Sequence, residues 1–238
     1  MRGRRNVFTM MAASAFVALA ALLAPAVARA VTVNLNAGDS VNLATVTNSG
    51  MAVQIGDKVF ADFSWDNLNA PDVTASDINL RAVINPNDIG FSLEFTLPLT
   101  AGDMEIKDVA FEFTAAVTNS NNLISDLHLS IGGATSGDAV ASVAEHAFTG
   151  GFGGLSLGEV DASIPGATES VTNLSSASAK IWIEKDIIVA GAFEFSDDFA
   201  SITNIDQTFS QIPEPSTALL VGLGLLGIFA VNRKGHRS

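Results

Sequence analysis

The middle of the chain alternates apolar and polar residues with a period of two. Because successive side chains of a strand point to opposite faces, this alternation predicts strands with one face in a core and the other in water. The longest run places Ile89, Phe91, Leu93, Phe95 and Leu97 on one face. The same pattern recurs at Ile78–Ile84, Val109–Val117, Leu127–Ile131 and Ala179–Ile183.

Weaker runs and the turns between them extend the pattern to an all-β fold. The weaker runs are Val31–Leu35, Met51–Ile55, Val59–Trp65, Ile187–Val189 with Ala192–Phe195, and Ile202–Ile205. About ten short strands without a strong amphipathic helix predict an antiparallel two-sheet sandwich, with a jelly-roll-like topology. A right-handed β-helix is the alternative, and the lack of a fixed-period repeat counts against it. Irregular strands are expected at 132–178, with a long loop near Gly150–Gly158.

The first thirty residues have the pattern of a secretory signal peptide. Arg2, Arg4 and Arg5 precede a long apolar stretch, and Ala28 and Ala30 supply small residues at the cleavage positions. This arrangement predicts a signal helix at 1–30 that signal peptidase removes after Ala30. A buried N-terminal helix and a twin-arginine signal are the alternatives.

The last residues combine a proline-rich segment, an apolar stretch and a basic end. Pro213, Glu214, Pro215, Ser216 and Thr217 form the segment 213–217, which we expect to end any preceding strand. The uncharged stretch 218–231 runs from Ala218 to Val231 and contains Gly222, Gly224 and Gly227. The 17 residues from 216 to 232, which include this stretch, would span about 25 Å as a helix, against a bilayer core of about 30 Å. We therefore predict a short transmembrane helix. The tail 232–238 carries Arg233, Lys234 and Arg237, which should hold that end in the cytoplasm.

The order Pro-Glu-Pro, short apolar span and basic tail resembles the PEP-CTERM sorting signal of Gram-negative bacteria. The resemblance covers residues 213–237. It implies processing by an exosortase, an integral membrane cysteine transpeptidase, and delivery to the cell surface or the extracellular polymer matrix of species that make exopolysaccharide. The same tail also occurs on proteins named ice-binding. An ordinary C-terminal membrane anchor is the alternative reading of these residues.

Composition and charge exclude several classes of function. None of the 238 residues is cysteine, so disulfides, thiolate metal sites and cysteine nucleophiles are absent. The predicted ectodomain, residues 31–212, has 24 acidic and 5 basic residues and a net charge of −19. This charge repels a phosphate backbone, so we expect no nucleic-acid partner. No nucleophile elbow or recognisable carboxylate pair is present, and we predict neither an enzyme nor a cofactor.

Isolated polar and aromatic residues are weaker candidates for a site. His128 and His146 lack an obvious third ligand, so no dedicated metal site is predicted. Trp182 lies out of phase with its apolar neighbours and is a candidate for stacking on a sugar, whereas Trp65 is expected in the core. The acidic group Glu194, Asp197 and Asp198 is a candidate for weak cation binding, and Gly150–Gly154 for a flexible loop rather than a phosphate loop.

These observations together predict an exported, non-enzymatic protein of the cell surface or extracellular matrix of a Gram-negative bacterium. Its partners would be signal peptidase, an exosortase-type transpeptidase and, transiently, the inner membrane. We expect association with exopolysaccharide or biofilm, with divalent cations as bridges between acidic groups. A lectin-like or ice-binding module is the alternative, although Thr32, Thr45 and Thr47 do not form the regular array that ice binding requires.

Overall fold

The protein folds into two facing β-sheets. The structure is a computed structural model that describes residues 31–86, 88–119, 121–192 and 198–213. Sheet A has the strand order β1-β3-β4-β7-β12-β9-β10, and sheet B has the order β11-β8-β13-β6-β5-β2, with β14 also paired to β8. The strands of sheet A are β1 (Thr32–Leu35), β3 (Ala52–Ile55), β4 (Lys58–Asn67), β7 (Ile106–Val117), β9 (Val140–Thr149), β10 (Leu155–Ile164) and β12 (Lys180–Ala190). The strands of sheet B are β2 (Ser40–Asn42), β5 (Ile78–Ile84), β6 (Ile89–Ala101), β8 (Asn122–Thr135), β11 (Glu169–Ser178), β13 (Ala200–Phe209) and β14 (Gln211–Pro213).

The connections between strands repeatedly cross from one sheet to the other. The chain passes from β6 in sheet B to β7 in sheet A, then to β8 in sheet B and β9 in sheet A. All strand pairs are antiparallel except β1 with β3, which is parallel. This arrangement confirms the predicted all-β sandwich of two sheets, with one parallel pair in an otherwise antiparallel fold.

Aromatic side chains fill one part of the core between the sheets. Phe60 and Phe113 from sheet A meet Phe91 from sheet B, with ring centroids 5.1 and 5.0 Å from the Phe91 ring. Both pairs have edge-to-face geometry, which the charge distribution of aromatic rings favours. Phe63, Phe111 and Phe209 extend the same cluster, and all six rings are buried. The period-two runs of the sequence therefore place their aromatic residues in contact across the sandwich.

Helical structure is confined to two short segments in the described part of the chain. Helix α1 spans Leu43–Ser49 and a 3-10 turn spans Ala75–Asp77. The Asn42 side chain accepts a hydrogen bond from the Ala44 N–H at 3.1 Å, which begins α1. Gly50, with a φ of 61°, ends it in the left-handed conformation that glycine adopts without strain. Within 31–213 as described, no helix combines the length and apolar character that crossing a membrane requires.

Several details of the strands differ from the sequence-based expectation. The described residues form fourteen strands, more than the ten expected. Residues 132–178 form strands with a tight turn at 150–154 in place of the expected long loop, and register shifts in β10 and β11 show the expected irregularity. The two predicted runs around 181 and 188 form the single strand β12, in which Lys185 occupies an inward position. β14 also continues to Pro213 instead of ending before it.

Candidate functional site

A row of polar side chains crosses the outer face of sheet B. Arg81 on β5 lies opposite Ser92 on β6, which lies opposite Asp206 on β13. Asp206 in turn pairs with Ser130 on β8, and Ser130 with Glu169 on β11. Because each strand presents alternate residues to one face, these five residues share the outer surface while their neighbours face the core. We call them the sheet B row.

A groove with a volume of about 690 Å³ lies over this row. Arg81 Nη1 forms an ion pair with Glu94 Oε1 at 3.0 Å on one side of the groove. Asn204 and Thr203 supply amide and hydroxyl groups on the other side. The groove is lined by Gly38, Arg81, Ala82, Val83, Ser92, Glu94, Phe95, Thr203, Asn204 and Asp206. Such a lining offers hydrogen-bond donors and acceptors and little exposed aromatic surface, so it suits a polar ligand.

A second cavity of about 190 Å³ continues the groove beyond Asp206 and Val83, which line both cavities. It contains His128, whose Nε2 lies 3.8 Å from Asp88 Oδ1 and 3.6 Å from Asp126 Oδ2. These three residues offer ligand atoms that all lie within 4.8 Å of one another. Ligand atoms bound about 2.0–2.1 Å from a tetrahedral zinc ion lie roughly 3.3–3.4 Å apart, so the three side chains would have to draw together to bind a divalent cation. We call Asp88, Asp126 and His128 the acidic–histidine cluster.

Ser210 connects this cluster to the C-terminal segment. Its backbone N–H donates to Asp126 Oδ1 at 2.7 Å, and its hydroxyl donates to Asp88 Oδ1 at 2.5 Å. One residue later, the Gln211 side chain donates to Asp57 and β14 begins to pair with β8. The cluster therefore holds the point at which the chain leaves β13 for β14.

The outer face of sheet A carries a different row. Ser64 on β4 lies opposite Glu112 on β7, and Glu112 lies opposite Glu184 on β12. Glu184 pairs with His146 on β9, and His146 with Glu159 on β10. Burial raises the pKa of Glu112, and the charges of Glu184 and Asp66 raise it further. Like charges therefore stand opposite each other on this face, in what we call the sheet A row.

The two tryptophans occupy different environments. Trp182 is half-buried on the outer face of sheet A, with Lys180 Nζ 4.8 Å from its ring centre. Trp65 is also half-buried and packs at 6.1 Å from Phe95 and 5.9 Å from Phe111, while its indole N–H donates to Asn67 Oδ1 at 2.7 Å. A cavity of about 400 Å³ lies against Trp65, so this residue belongs partly to the core and partly to the surface.

Charged groups buried between the sheets were missed from the sequence. The Lys185 amino group contacts Glu145 and lies 2.5 Å from Gln207 Oε1. All three side chains are buried. Burial raises the pKa of Glu145 and lowers that of Lys185. The period-two pattern could have predicted their burial. Lys185 follows Ile181 and Ile183 at even spacing, and Glu145 follows Ala141 and Val143 in the same way, so both share the core-facing side of their strands.

Each of the five basic residues between 31 and 212 forms an ion pair. Arg81 pairs with Glu94 and Lys185 with Glu145. The remaining pairs are Lys58 with Asp57, Lys107 with Asp72 and Lys180 with Asp62. The positive charge of this region is thus already matched locally, which leaves the surplus of carboxylates on the surface.

Many sequence-predicted residues lie outside the described part of the chain. Pro213 is the last residue of β14, opposite Asn122. Residues 1–30 and 214–238, with the predicted cleavage site, apolar span and basic tail, are outside it, as are Glu194 and Asp197. Asp198 is described, and its carboxylate accepts a hydrogen bond from the Asp138 N–H at 3.4 Å. The Gly150–Gly154 segment forms the turn between β9 and β10, where the Gly153 N–H donates to Glu184 at 2.7 Å.

Comparison with known families bears on the segment that follows Ser210. The family of the PEP-CTERM protein-sorting motif matches residues 211–234. The chain carries a PEP-CTERM sorting motif. The motif confirms the resemblance seen in the sequence and indicates a secreted protein that is processed at the membrane by an exosortase and displayed outside the cell. It starts at Gln211, so the fold of this PEP-CTERM protein anchors the chain at Ser210, directly before the motif.

Several solved structures are similar to this fold at a low level. The carbohydrate-binding module TmCBM61 in complex with β-1,4-galactotriose is 11% identical, with a TM-score of 0.31, and the match covers 64% of this chain and 89% of that chain. The module TmCBM27, described with specific mannan recognition, is 12% identical with a TM-score of 0.29, over 65% and 97% of the two chains. A glycosylation-associated protein complex from Streptococcus agalactiae is 12% identical with a TM-score of 0.27, over 62% of this chain and 26% of that one. No curated protein matches the chain significantly.

Proposed function

We propose that the mature protein is a non-enzymatic component of the cell surface or extracellular matrix of a Gram-negative bacterium, where it associates with exopolysaccharide. The match of the sorting motif to residues 211–234 is the observation that carries this proposal. A signal peptide at 1–30 would start export, and the apolar stretch 218–231 would hold the precursor in the inner membrane until the exosortase acts.

Recognition by the exosortase is proposed to rest on Pro213, Glu214 and Pro215. Two prolines fix two φ angles, so we expect the segment to be stiff and extended, and a stiff substrate loses less entropy when it binds a cleft. Glu214 adds a charge that a basic subsite can read. We expect Glu214→Ala, and separately the Pro213→Ala/Pro215→Ala pair, to leave unprocessed precursor in the inner membrane of the native host. If both variants are displayed at the surface at the wild-type level, with the tail removed, the segment is only a spacer and is not recognised by the exosortase.

The groove above the sheet B row is the proposed binding site for polysaccharide. Its amide, hydroxyl and charged groups are the partners that sugar hydroxyls hydrogen-bond, and it is open along the sheet, so a chain can lie across the strands. Arg81 contributes the guanidinium group of the groove. This carbohydrate-binding role is favoured over ice binding, since Thr32 lies on β1 while Thr45 and Thr47 lie on α1.

A pair of matched variants tests the groove. Arg81 and Lys180 have side chains exposed to 51% and 42%, and each pairs with one carboxylate. With residues 31–213, which hold all the core residues named above, we expect Arg81→Ala to lower retention in gels containing the host's exopolysaccharide. Lys180→Ala, on the opposite sheet, should migrate as the wild type does. If the wild type, Arg81→Ala and Lys180→Ala migrate equally, with and without polysaccharide, the groove is not the binding site.

Divalent cations are proposed as a second part of the interaction. The net charge of −19 on residues 31–212 opposes contact with an anionic polysaccharide. A cation at the acidic–histidine cluster would supply positive charge at one end of the groove, and its imidazole nitrogen suits zinc better than calcium. We expect chelation of divalent cations to reduce retention, and His128→Gln to abolish the dependence on added zinc. His146→Gln, on sheet A, is the control. If neither the chelator nor His128→Gln changes the retention, the interaction does not depend on a cation.

A further inference from the structure

An amine, a carboxamide and a carboxyl group meet in the buried interior of the sandwich. Lys185 on β12 and Glu145 on β9 are direct cross-strand partners in sheet A, and Gln207 on β13 reaches them from sheet B. Lys185 and Glu145 side chains have no exposed surface, and Gln207 is equally buried. Phe111 and Phe91 lie beside Lys185 and Gln207 in the strand registers, so apolar side chains surround the three groups.

The amine of Lys185 is positioned to attack the carboxamide of Gln207. Its Nζ lies 2.5 Å from Gln207 Oε1. Because a carbonyl bond is about 1.2 Å long, the carbonyl carbon is at most roughly 3.7 Å from the same nitrogen. Reacting atoms in near-attack geometry are about 3–3.5 Å apart. The backbone of three strands fixes this proximity, so it does not depend on a mobile loop.

Glu145 lies beside both reactants. It touches the Lys185 amine, which also contacts Gln207 Oε1, so Glu145 lies beside both groups. Its Oε1 is buried and has no hydrogen-bond partner among the described residues, which leaves a free oxygen beside the reacting groups. Burial raises the pKa of Glu145 and lowers that of Lys185. Both shifts favour the free amine, which is the nucleophilic form, together with the protonated acid.

We propose that Lys185 and Gln207 form an intramolecular isopeptide bond in the folded protein, with Glu145 as the acid–base group. The Nζ lone pair attacks Cδ of Gln207, and Glu145 transfers a proton from the attacking nitrogen to the departing amide nitrogen. The new bond joins Nζ to Cδ, the bond from Cδ to Nε2 breaks, and one molecule of ammonia leaves. Nothing is oxidised or reduced, and the carboxyl group returns to its initial state.

Such a bond would link the two sheets covalently. β12 belongs to sheet A and β13 to sheet B, and the bridged residues are 22 positions apart. A crosslink of this kind restricts the unfolded chain as a disulfide does. The chain contains no cysteine, so this reaction would give an exported protein a covalent crosslink that needs neither thiols nor an oxidant.

Peptide mapping of the full-length chain, expressed with export and then denatured and digested, tests the bond directly. We expect a branched peptide that contains Lys185 and Gln207, with the mass of the two peptides minus one ammonia. Mapping does not depend on where the exosortase cuts. Separate, unmodified peptides from the folded wild-type protein would overturn the proposal. A branched peptide joining Lys185 to Glu145 with loss of one water would overturn the assignment of Gln207 as acceptor.

Variants separate the chemistry from the fold. Lys185→Met should give no branched peptide, whereas Lys58→Met, at another fully buried and ion-paired lysine, should keep it. Glu145→Gln retains the shape of the side chain and loses the acid, so we expect the folded variant to contain only unlinked peptides. A branched Lys185–Gln207 peptide at the wild-type level in Glu145→Gln would show that Glu145 is not the acid–base group. The wild-type map decides the bond itself even if these variants fail to fold.

Discussion

The outer faces of the two sheets have the same architecture and different electrostatics. In the sheet B row, Arg81 and Asp206 each stand beside a serine, and Glu94, diagonal to this row, pairs with Arg81. In the sheet A row, Glu112 and Glu184 stand directly opposite each other. Both faces are acidic, yet the Glu94 carboxylate of sheet B pairs with Arg81 beside a groove, while Glu112 and Glu184 of sheet A are like charges placed directly opposite each other.

This difference separates two roles that an acidic surface can have. Carboxylates held by partners have a defined orientation and can help to bind a ligand, as at the acidic–histidine cluster, where Ser210 orients Asp88 and Asp126. Carboxylates that face each other weaken the fold slightly but keep the molecule charged and dispersed. We infer that sheet B is the binding face and that sheet A maintains hydration and solubility.

Of the substitutions that compare the two sheets, adding one methyl group to sheet B should change the free energy of unfolding most. A Cβ on Gly90 would lie 1.8 Å from the backbone carbonyl oxygen of Gln207, so β6 and β13 would have to separate beneath the groove. We expect Gly90→Ala to lower the free energy of unfolding by about 1–3 kcal/mol, as overpacking does. Urea unfolding measures this change.

The matched control lies on sheet A. A Cβ on Gly158 in β10 would meet Leu174 at 3.5 Å, an ordinary contact. We therefore expect Gly158→Ala to change the free energy of unfolding by less than about 1 kcal/mol. Any change should be an increase, because alanine restricts the unfolded chain. If Gly90→Ala and Gly158→Ala lower the free energy of unfolding equally, the close approach of β6 and β13 at Gly90 does not determine the effect.

The same substitution on the two faces should have opposite signs. Glu112→Gln removes one charge from the repelling pair of sheet A, and we expect it to raise the free energy of unfolding by about 0.2–1 kcal/mol. Glu94→Gln breaks the ion pair with Arg81 on sheet B, and we expect a loss of about 0–1 kcal/mol, because the pair is exposed. Urea unfolding of both variants at neutral pH and low salt gives the two signs. If Glu112→Gln destabilises the protein, repulsion is not what distinguishes sheet A.

The faces of the strands were predictable, whereas the groups that meet across the fold were not. Alternation alone placed Phe91 inward and His128 outward, because both follow from the period of two. The sequence predicted two separate strands around Lys185, because a charged residue is normally expected to face solvent. Its partner Gln207 lies on the other sheet. Asp126 shares the face of His128 by spacing, but Asp88 reaches them only through the pairing of β13 with both β6 and β8. Long-range pairing is not encoded in any local pattern, so this part of the site needed the structure.

Acid titration should give the smallest effect and still distinguish opposed carboxylates from partnered ones. Burial, followed by Glu184 and Asp66, raises the pKa of Glu112 above its ordinary 4.5, and burial, followed by Asp108, raises the pKa of Asp186 above its ordinary 3.8. A carboxyl group with a raised pKa binds its proton more tightly in the folded state. Its destabilising effect is therefore present at neutral pH and disappears as the pH falls through the folded pKa. We expect the stability gained by Glu112→Gln/Asp186→Asn to be largest at pH 7 and to shrink as the pH falls towards these ordinary values.

The opposite sign is expected where a partner holds the carboxylate. A hydrogen bond from Lys107 lowers the pKa of Asp72, so the stability that this pair contributes is present above the ordinary pKa of 3.8 and is lost as the pH falls through the folded pKa. Asp72→Asn should therefore be less stable than the wild type at pH 7, and the difference should vanish in acid. Unfolding free energies of the wild type, the double variant and Asp72→Asn across the same pH series measure both trends. Because the double variant starts above the wild type and Asp72→Asn below it, the three curves should converge as the pH falls. Parallel curves would show that these carboxylates have the same pKa in the folded and unfolded states, and the electrostatic contrast between partnered and opposed carboxylates would then have no thermodynamic basis.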